Sequence, residues 1–352
     1  MEPKTDIKSF SETALAEWLS QRGAKPYRTG QILRWVYLRH ATSFDQMTDL
    51  SKRLRELLSG HLTISRLETA RIEQSNDGSR KYLFKLEDGN FIESVLIPEK
   101  THWTLCISSQ IGCAQGCRFC LTGKGGFVRN LASAEIINQV WEIQKELKSD
   151  MRLSNIVLMG MGEPLANYNN VIAALRILMA NNGLQFSSRK MTLSTAGIVP
   201  KIEQLGQDIT VNLAVSLNAA DNKTREYLMP INRQYPIETL IEACKNFPLP
   251  PRRIITFEYI LMSGVNDSPE DAHRLVKLLR QVKAKINLIP FNAFEESYFK
   301  RPTESAILTF QKILIDHHYT TMIRYSKGTD ISAACGQLRR KETNTSIEPK
   351  LN

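Results

Sequence analysis

Three cysteines lie at CxxxCxxC spacing in the stretch GCAQGCRFC, and closely spaced thiolates on a loop bind metal ions or iron–sulfur clusters. A closed structural zinc site takes four ligands, but the nearest further cysteine, Cys106, lies seven residues upstream in a predicted strand. A catalytic metal centre instead keeps one position open for a substrate. The spacing therefore favours an open centre on Cys113, Cys117 and Cys120, with a closed zinc site that includes Cys106 as the alternative.

Polar, glycine and thiol residues also follow other short β-branched segments, such as NIVLMG, KMTL, VNLAV and INLIP. Because the carboxyl ends of parallel strands meet at one end of a barrel, residues just past those ends are candidates for chemistry. The candidates outside the cysteine loop are Gly162, Glu163, Ser194, Thr195, Gly197, Ser216, Leu217, Asn218, Asn292 and Cys335. Their recurrence at one end of the predicted sheet predicts an active site there.

The elements that position these residues begin at about residue 104, where β-branched segments alternate with segments of helical apolar spacing such as SAEIINQVWEIQKEL. Alternation of strand and helix indicates βαβ units with right-handed crossovers and a parallel sheet. Six or seven such units predict an α/β fold with a full or partial barrel.

The sequence before the barrel predicts two smaller parts. The first contains segments of helical apolar spacing, with Ser11 as a predicted N-cap. In the second, apolar and polar residues alternate as they do in β-strands, and the turn sequences Asn76–Gly78 and Asp88–Gly89 predict hairpins. The predicted parts are a helical domain at 1–66, a β extension at 67–100, the barrel at 101–340 and a disordered tail at 341–352.

The 352 residues include 46 Lys and Arg against 36 Asp and Glu, a net charge of +10. This balance favours a polyanionic partner, nucleic acid first, with a basic solvated surface as the alternative. Basic candidates for phosphate contact are the helical domain, the Arg252-Arg253 pair and Arg339–Lys341. Apolar runs stay short of the roughly 18 residues that a membrane helix needs. The first residues resemble neither a signal nor a transit peptide, so we expect a cytoplasmic protein with reduced thiols.

The cysteine motif has an aromatic residue, Phe119, before its last cysteine, and the sequence MGMGEP follows the next predicted strand. In both respects the chain resembles the radical S-adenosylmethionine (SAM) superfamily. The resemblance implies a partial (βα)6 barrel in which Cys113, Cys117 and Cys120 bind three irons of a [4Fe–4S] cluster. The amino and carboxylate groups of SAM would bind the fourth iron.

Longer motifs narrow the resemblance over roughly residues 25 to 340. The motifs TLCISSQIGCAQGCRFCLTGKGGFVRNL, LMGMGEPLAN, LSTAGIVP, LMPIN, GVNDS, KINLIPFN and DISAACGQL are together similar to the RlmN family of dual-specificity RNA methyltransferases, with Cfr as its close relative. The resemblance implies that one SAM methylates Cys335 to S-methylcysteine. A second SAM, cleaved reductively, would give a 5′-deoxyadenosyl radical that takes hydrogen from this methyl group, and the carbon radical would add to adenine.

The resemblance also assigns the remaining site residues. It implies that Cys106 resolves the protein–RNA adduct through a transient disulfide with Cys335, and that Glu93 accepts the ring proton. An exposed strand carboxylate is the alternative interpretation of Glu93. The implied SAM-binding residues are Gly162, Glu163, Ser194, Ser216, Leu217, Asn218 and Asn292. The family usually has His where Asn218 stands, and Asn keeps one donor and one acceptor.

Chemistry supports a radical route, because an amidine carbon of adenine is electrophilic and ordinary displacement from SAM does not methylate it. The implied substrates are 23S rRNA and tRNA, and the target base must leave its stack to reach the site. The implied reductant is a flavodoxin-type protein, and we expect a monomer.

Other interpretations stay open. Cfr-type enzymes methylate carbon 8 of the same adenine, whereas the GEPL sequence here favours RlmN-type methylation of carbon 2. A zinc-stabilised RNA-binding protein without catalysis would rely on the basic helical domain. A radical SAM enzyme acting on a small molecule would leave Cys106 and Cys335 without a role. Cys244, on a predicted helical face, is expected to be a buried apolar residue.

Overall fold

The computed structural model describes residues 4–147, 151–294 and 297–338; the predicted tail at 341–352 and the basic stretch Arg339–Lys341 lie outside these ranges. The helices are α1 (Glu12–Ser20), α2 (Arg28–Tyr37), α3 (Lys52–His61), α4 (Leu121–Lys124), α5 (Ser133–Glu146), α6 (Tyr168–Met179), α7 (Val199–Asp208), α8 (Asn222–Leu228), α9 (Ile237–Asn246), α10 (Pro269–Leu279) and α11 (Glu304–Asp316). The strands are β1 (Thr5–Asp6), β2 (Leu62–Thr63), β3 (Glu68–Gln74), β4 (Arg80–Lys85), β5 (Phe91–Pro98), β6 (Trp103–Cys106), β7 (Gln110–Gly112), β8 (Phe127–Asn130), β9 (Leu153–Leu158), β10 (Met191–Thr195), β11 (Asn212–Ser216), β12 (Ile255–Leu261), β13 (Ala284–Pro290) and β14 (Thr320–Ile323).

The barrel strands run parallel in the order β6, β9, β10, β11, β12, β13 and β14. Within the described residues β14 pairs only with β13, so the barrel is open, and the predicted partial barrel is confirmed. Helices follow each of the first six parallel strands, whereas β14 leads into a loop over the described residues. The strands are apolar because helices cover one face and the barrel interior the other; β12 is buried at every residue except Ile260.

The β extension continues the barrel sheet. Strands β3, β4 and β5 are antiparallel, and β5 pairs with β6 so that Val95 lies opposite Cys106. The hairpin turns are at the predicted sequences, where Gly78 and Gly89 adopt φ of 86° and 77°. The pairing satisfies backbone groups that an edge strand β6 would otherwise expose. The predicted division at residue 100 therefore falls inside one sheet.

The N-terminal helices pack against the outside of the barrel. Ser11 caps α1 by accepting a hydrogen bond from the backbone N–H of Ala14, as its sequence context predicts. Trp141 of α5 is fully buried and donates its indole N–H to the carbonyl of Val36 at 2.7 Å. The amine of Lys8 lies 3.8 Å from the centre of the Trp141 ring. The helical domain thus contacts the barrel through a buried aromatic side chain of α5.

The helices of the described residues are too short or too polar to span a membrane. Their apolar faces pack on the strands, and most buried residues of the barrel and of the N-terminal helices form one core. A second, smaller cluster contains Phe119 and Met229. Cys244 belongs to this core with 1% of its surface exposed, which confirms the predicted apolar role.

Candidate active site

A cavity of about 140 Å³ lies at the carboxyl ends of the parallel strands. Most of the predicted site residues line it, as parallel-barrel geometry leads one to expect. The predicted residues among its lining are Cys113, Cys117, Cys120, Gly162, Glu163, Ser194, Thr195, Ser216, Asn218 and Cys335. The predicted residues Leu217, Gly197, Asn292, Cys106 and Glu93 are outside this set.

The cysteine loop is held by a short hairpin between β7 and β8. Gly112 has φ of 74°, and a Cβ there would lie 1.8 Å from the carbonyl oxygen of Gly126, so only glycine fits. Next to it, the backbone N–H of Cys113 donates to the same carbonyl at 3.0 Å. The N–H of Cys120 donates to the carbonyl of Cys117 at 3.1 Å and closes the turn between the last two cysteines.

Two of the three thiols, those of Cys113 and Cys117, lie in a desolvated environment. Burial raises the pKa of Cys113 to about 12 and that of Cys117 well above its ordinary value, and the neighbouring thiolates raise both further. Among the described residues that line the cavity there is no Lys, Arg or His. Three thiolates in such a place require a bound cation, and an iron cluster supplies it.

The arrangement suits a cluster better than a single ion. Over the part of the chain that the structure describes, no three His, Cys, Asp or Glu side chains converge closely enough to hold one metal ion. Thiolates that bind three different irons are spaced more widely than the ligands of one zinc ion. The cysteine loop therefore fits a [4Fe–4S] cluster.

Glu163 joins the loops that follow β9 and β10. Its carboxylate accepts hydrogen bonds from the backbone N–H groups of Leu165 at 3.0 Å and Ala196 at 2.7 Å. Its own N–H donates to the side chain of Gln110 at 2.8 Å. Burial raises the pKa of Glu163, whereas these N–H donors lower it. A Cβ at Gly162 would lie 2.5 Å from Gln110, so glycine is required for this close approach.

Glu258 is a site residue that sequence reasoning missed. It lines the cavity from β12, with 8% of its surface exposed, and accepts a hydrogen bond from the hydroxyl of Ser194 at 3.0 Å. Burial raises its pKa, whereas Ser194 and Arg324 lower it. The signal available in the sequence was a lone carboxylate inside the apolar run RIITFEYIL.

Asn218 has a structural role in addition to lining the cavity. Its backbone has φ of 57°, a left-handed conformation that Asn tolerates. The side-chain oxygen accepts a hydrogen bond from the N–H of Ile260 at 2.8 Å, and the Asn218 carbonyl accepts one from Asn266 at 2.7 Å. Leu217 is fully buried in the core, and its backbone N–H already donates to the carbonyl of Glu258 at 3.0 Å.

Arg225 is a second residue that the sequence reasoning missed. It is fully buried and donates to the backbone carbonyls of Ala196 at 2.7 Å and Leu217 at 3.2 Å, and to the side-chain oxygen of Asn232 at 3.1 Å. Burial lowers its pKa to about 10. The guanidinium thus joins the two loops that carry the residues after β10 and β11.

Cys335 reaches the cavity from the loop after β14. It is an exposed residue whose surface faces the cavity, and desolvation by the surrounding walls, followed by the charge of Glu258, raises its pKa to about 11. Asn292 donates to the carbonyl of Cys335 at 3.4 Å and to the hydroxyl of Ser326 at 2.8 Å. Asn292 thus holds the loop of Cys335 instead of lining the cavity.

The same loop is attached to the β extension. The carboxylate of Asp77 accepts a hydrogen bond from the N–H of Gly328 at 2.7 Å. The carboxylate of Asp330 accepts one from the hydroxyl of Ser75 at 2.6 Å. The amine of Lys81 donates to a carbonyl of the same loop at 2.6 Å. The first hairpin of the extension therefore supports Cys335.

Cys106 lies on β6 with 8% of its surface exposed. Burial raises the pKa of its thiol, and the negative charge of a Cys335 thiolate raises it further. Both are free thiols in the structure. Because Cys106 is the last residue of β6, it lies at the same end of the barrel as the cavity, and its role as the resolving cysteine stays a prediction.

Glu93 lies on the same face of the sheet as Cys106, because Val95 pairs with Cys106 and side chains alternate along β5. Glu93 is 6% exposed, so the alternative of an exposed strand carboxylate is wrong. Its carboxylate pairs with the amine of Lys81 at 3.4 Å, and that amine lies 2.7 Å from Glu73.

Two family models and several known proteins match this chain. Residues 5–64 match the family model for the ribosomal RNA large subunit methyltransferase N-terminal domain, and residues 107–276 match the radical SAM superfamily. The dual-specificity RNA methyltransferase RlmN of Desulfosudis oleivorans is 60% identical over 334 residues, 95% of this chain and 90% of that protein. The chain belongs to the RlmN family.

Further relatives agree with this membership. The RlmN protein of Geobacter sulfurreducens is 54% identical over 97% of this chain and 94% of its own length. A crystal structure of a radical SAM methyltransferase from Sphaerobacter thermophilus superposes with a TM-score of 0.90 and 42% identity, over 95% of this chain and 99% of that one. As a radical SAM enzyme of the RlmN family, the chain uses a [4Fe–4S] cluster and SAM.

These findings decide among the interpretations. The alternative of a zinc-stabilised protein without catalysis is wrong, because the chain is a radical SAM enzyme. The relatives are RlmN proteins, so the comparison favours the RlmN over the Cfr form. The Arg252-Arg253 pair precedes β12 and lies at the opposite end of the barrel from the cavity, and its contact with RNA phosphates stays a prediction.

Proposed function

We propose that the protein methylates carbon 2 of adenine in 23S rRNA and in tRNA, with Cys335 as the methyl carrier. One observation carries the proposal: Cys335 lines the same cavity as Cys113, Cys117 and Cys120, and a second cysteine, Cys106, ends β6 at the same end of the barrel. A radical SAM enzyme acting on a small molecule has no use for this pair. The printed name of the relatives, dual-specificity RNA methyltransferase, supports RNA as the substrate.

The helical domain supports RNA binding by its surface chemistry. Arginine side chains stack on aromatic rings at three places, with guanidinium-to-ring distances of 4.1 to 4.8 Å. The pairs are Arg22 with Trp18, Arg28 with Tyr27, and Arg39 with Trp35. Such pairs offer charge for phosphates and flat faces for bases.

The SAM-binding wall consists of Gly162, Glu163, Ser194 and Ser216, with Asn218 beside them and Leu217 buried behind it. When bound, the cluster and SAM supply the radical chemistry. The absence of cationic side chains from the described lining favours a ligand with ammonium and sulfonium groups. Cys335 presents its sulfur to this space and receives the methyl group there. Asn292 holds the backbone of Cys335.

Release of the methylated base needs a second thiol and a base. Cys106, as a thiolate, attacks the sulfur of Cys335, and a Cys106–Cys335 disulfide forms. The bond between that sulfur and the transferred methylene carbon breaks, and this carbon keeps the electron pair and takes up a proton to become the methyl group. The unpaired electron of the radical adduct would pass to the cluster that Cys113, Cys117 and Cys120 would hold. Glu93 accepts the proton from the ring carbon. Its burial beside Lys81, on the sheet face that carries Cys106, supports this role. We propose further that a flavodoxin-type protein is the reductant and that the enzyme is a cytoplasmic monomer.

The test is methylation of a 23S rRNA fragment and of tRNA by anaerobically reconstituted enzyme, followed by mass spectrometry of the nucleosides. We expect 2-methyladenosine from both RNAs. Product methylated only at carbon 8 would overturn the regiochemistry, and product from rRNA alone would overturn the dual substrate range. Methylation that persists in Cys335→Ala would overturn the mechanism.

A further inference from the structure

A second cavity, of about 270 Å³, lies on the other side of the cysteine loop. We call it the tyrosine cavity; its lining residues are Gly116, Cys117, Arg118, Gly123, Lys124, Tyr227, Tyr298 and Phe299. Cys117 lines this cavity and the active-site cavity as well. The two cavities therefore meet the loop of the predicted cluster ligands at the same residue.

Aromatic rings dominate the walls of the tyrosine cavity. Tyr298 is 97% exposed and Tyr227 is 47% exposed, which is unusual for large aromatic side chains that serve only to pack. Phe299 meets the Tyr227 ring edge to face, with ring centres 6.1 Å apart, and thereby fixes its orientation. The cavity thus offers flat, accessible faces to a planar ligand.

Positive charge accompanies these rings. The guanidinium of Arg118 lies 4.5 Å from the centre of the Tyr227 ring, and the amine of Lys124 lies 5.0 Å from the Phe294 ring. The adjacent Glu226 pairs with Arg233 at 2.8 Å, so its charge is compensated. The combination suits a ligand that has both a planar ring and an anionic group.

The floor of the cavity is formed by backbone. A Cβ at Gly123 would lie 3.3 Å from the backbone nitrogen and 3.4 Å from the carbonyl oxygen of Cys117, so a side chain there would crowd the cysteine loop. Arg118 is also held at its backbone, where its N–H donates to the carbonyl of Leu228 at 3.0 Å. The rings and charges are thus attached to a rigid loop next to the active site.

We propose that the tyrosine cavity stacks a nucleobase that neighbours the target adenine, with the phosphate of that nucleotide against Arg118. This inference rests on the proposed function. Extrusion of one base from an RNA stack leaves its neighbours unstacked, and aromatic faces replace the lost stacking. An acidic protein reductant would need only positive charge, whereas the two accessible tyrosine rings favour a base.

The test uses the reconstituted holoenzyme and 23S rRNA fragments in which 2-aminopurine replaces each base that flanks the target adenine in turn. We expect the wild-type enzyme to quench one flanking position. Tyr298→Ala should abolish this quenching and raise the RNA dissociation constant about tenfold or more. Tyr298→Trp, which keeps a stacking face, should restore the quenching. Tyr325→Ala removes another exposed tyrosine outside both cavities and serves as the matched control.

Two results would overturn the inference. One is equal quenching and affinity in the wild type and Tyr298→Ala. The other is slower SAM cleavage by Tyr298→Ala than by the wild type, measured without RNA, when a flavodoxin-type protein is the reductant but not when dithionite is. That result would make the cavity a docking site for the reductant. If the wild-type enzyme methylates no RNA, the proposed function itself fails. If it methylates RNA while Tyr298→Ala binds RNA unchanged, only the tyrosine cavity proposal fails.

Discussion

The backbone N–H of Leu121 donates a hydrogen bond of 2.8 Å to the carbonyl of Gly336. This bond joins the residue after the third cysteine of the motif to the residue after Cys335. The hydroxyl of Thr122 donates to the carbonyl of Leu338 at 2.9 Å and extends the contact. The predicted cluster ligands and the predicted methyl carrier are therefore parts of one hydrogen-bonded unit.

The two cysteines of the proposed methyl transfer should respond differently to substitution. Cys335→Ala has no sulfur to carry the methyl group, so methylated adenosine should be absent from the product. Cys106→Ala lacks the resolving thiol and should accumulate a covalent protein–RNA adduct, detectable by denaturing gel electrophoresis. Cys244→Ala is the matched control, because Cys244 is a buried core residue with no proposed part in methyl transfer. Free turnover by Cys106→Ala would contradict the resolving role.

Glu258 should matter for SAM binding through Ser194. In Glu258→Ala the hydroxyl of Ser194 loses its acceptor, and the dissociation constant for SAM should rise roughly tenfold. Glu258→Gln keeps an acceptor oxygen for Ser194 and should stay nearer to the wild type. Isothermal titration calorimetry with SAM measures the dissociation constant for each reconstituted variant. Equal affinity in Glu258→Ala and wild type would contradict the link between Ser194 and the ligand.

The contact between Asp330 and Ser75 should affect methyl transfer more than cluster binding. Asp330→Ala removes the acceptor for the Ser75 hydroxyl and the N–H of Asn76, which loosens the loop of Cys335. Misplacement of a reacting atom by about 1 Å costs on the order of 10²-fold in rate, so methylation should fall steeply. Iron content and dithionite-driven SAM cleavage report the cluster in the same sample. If Asp330→Ala lost iron to the same extent as it lost methylation, a role confined to the loop of Cys335 would be contradicted.

Asn218 should be required for stability as well as for the site. In Asn218→Ala the N–H of Ile260 loses its buried acceptor and the left-handed backbone loses a favourable residue, so the free energy of unfolding should fall by about 1–3 kcal/mol. Asn218→His restores the residue usual in the family and tolerates this backbone conformation better than Ala does. Denaturant unfolding of the wild type, Asn218→Ala and Asn218→His compares their free energies of unfolding. An Asn218→Ala protein as stable as the wild type would contradict the structural role.

Lys8 should make stability depend on pH. Burial lowers its pKa from 10.5 to about 7 in the folded protein. Between these values the unfolded chain binds more protons than the folded one, so the free energy of unfolding should rise as pH increases from 7. Above about pH 9 the buried thiols, whose pKa values are raised, act in the opposite direction. Lys8→Met should lose the rise between pH 7 and 9, measured by denaturant unfolding.

The barrel and the cysteine loop were predictable because their signals are local. Alternating strand and helix patterns give the parallel sheet, and CxxxCxxC spacing places three thiols on one loop. The contacts that hold Cys335 were not predictable, because Ser75 and Asp330 are 255 residues apart in the chain and meet only through the sheet that joins the extension to the barrel. Arg225 escaped prediction for a similar reason, since an arginine in a helix sequence gives no sign of burial.

The attachment of the Cys335 loop has a consequence for local opening of the folded protein. The loop is held at two separate places, by the Leu121–Gly336 hydrogen bond beside the cysteine loop and by the bond between Asp330 and Ser75 at the β extension. An opening that breaks one of these attachments leaves the other intact, so Cys335 stays tethered near the cavity unless both break together.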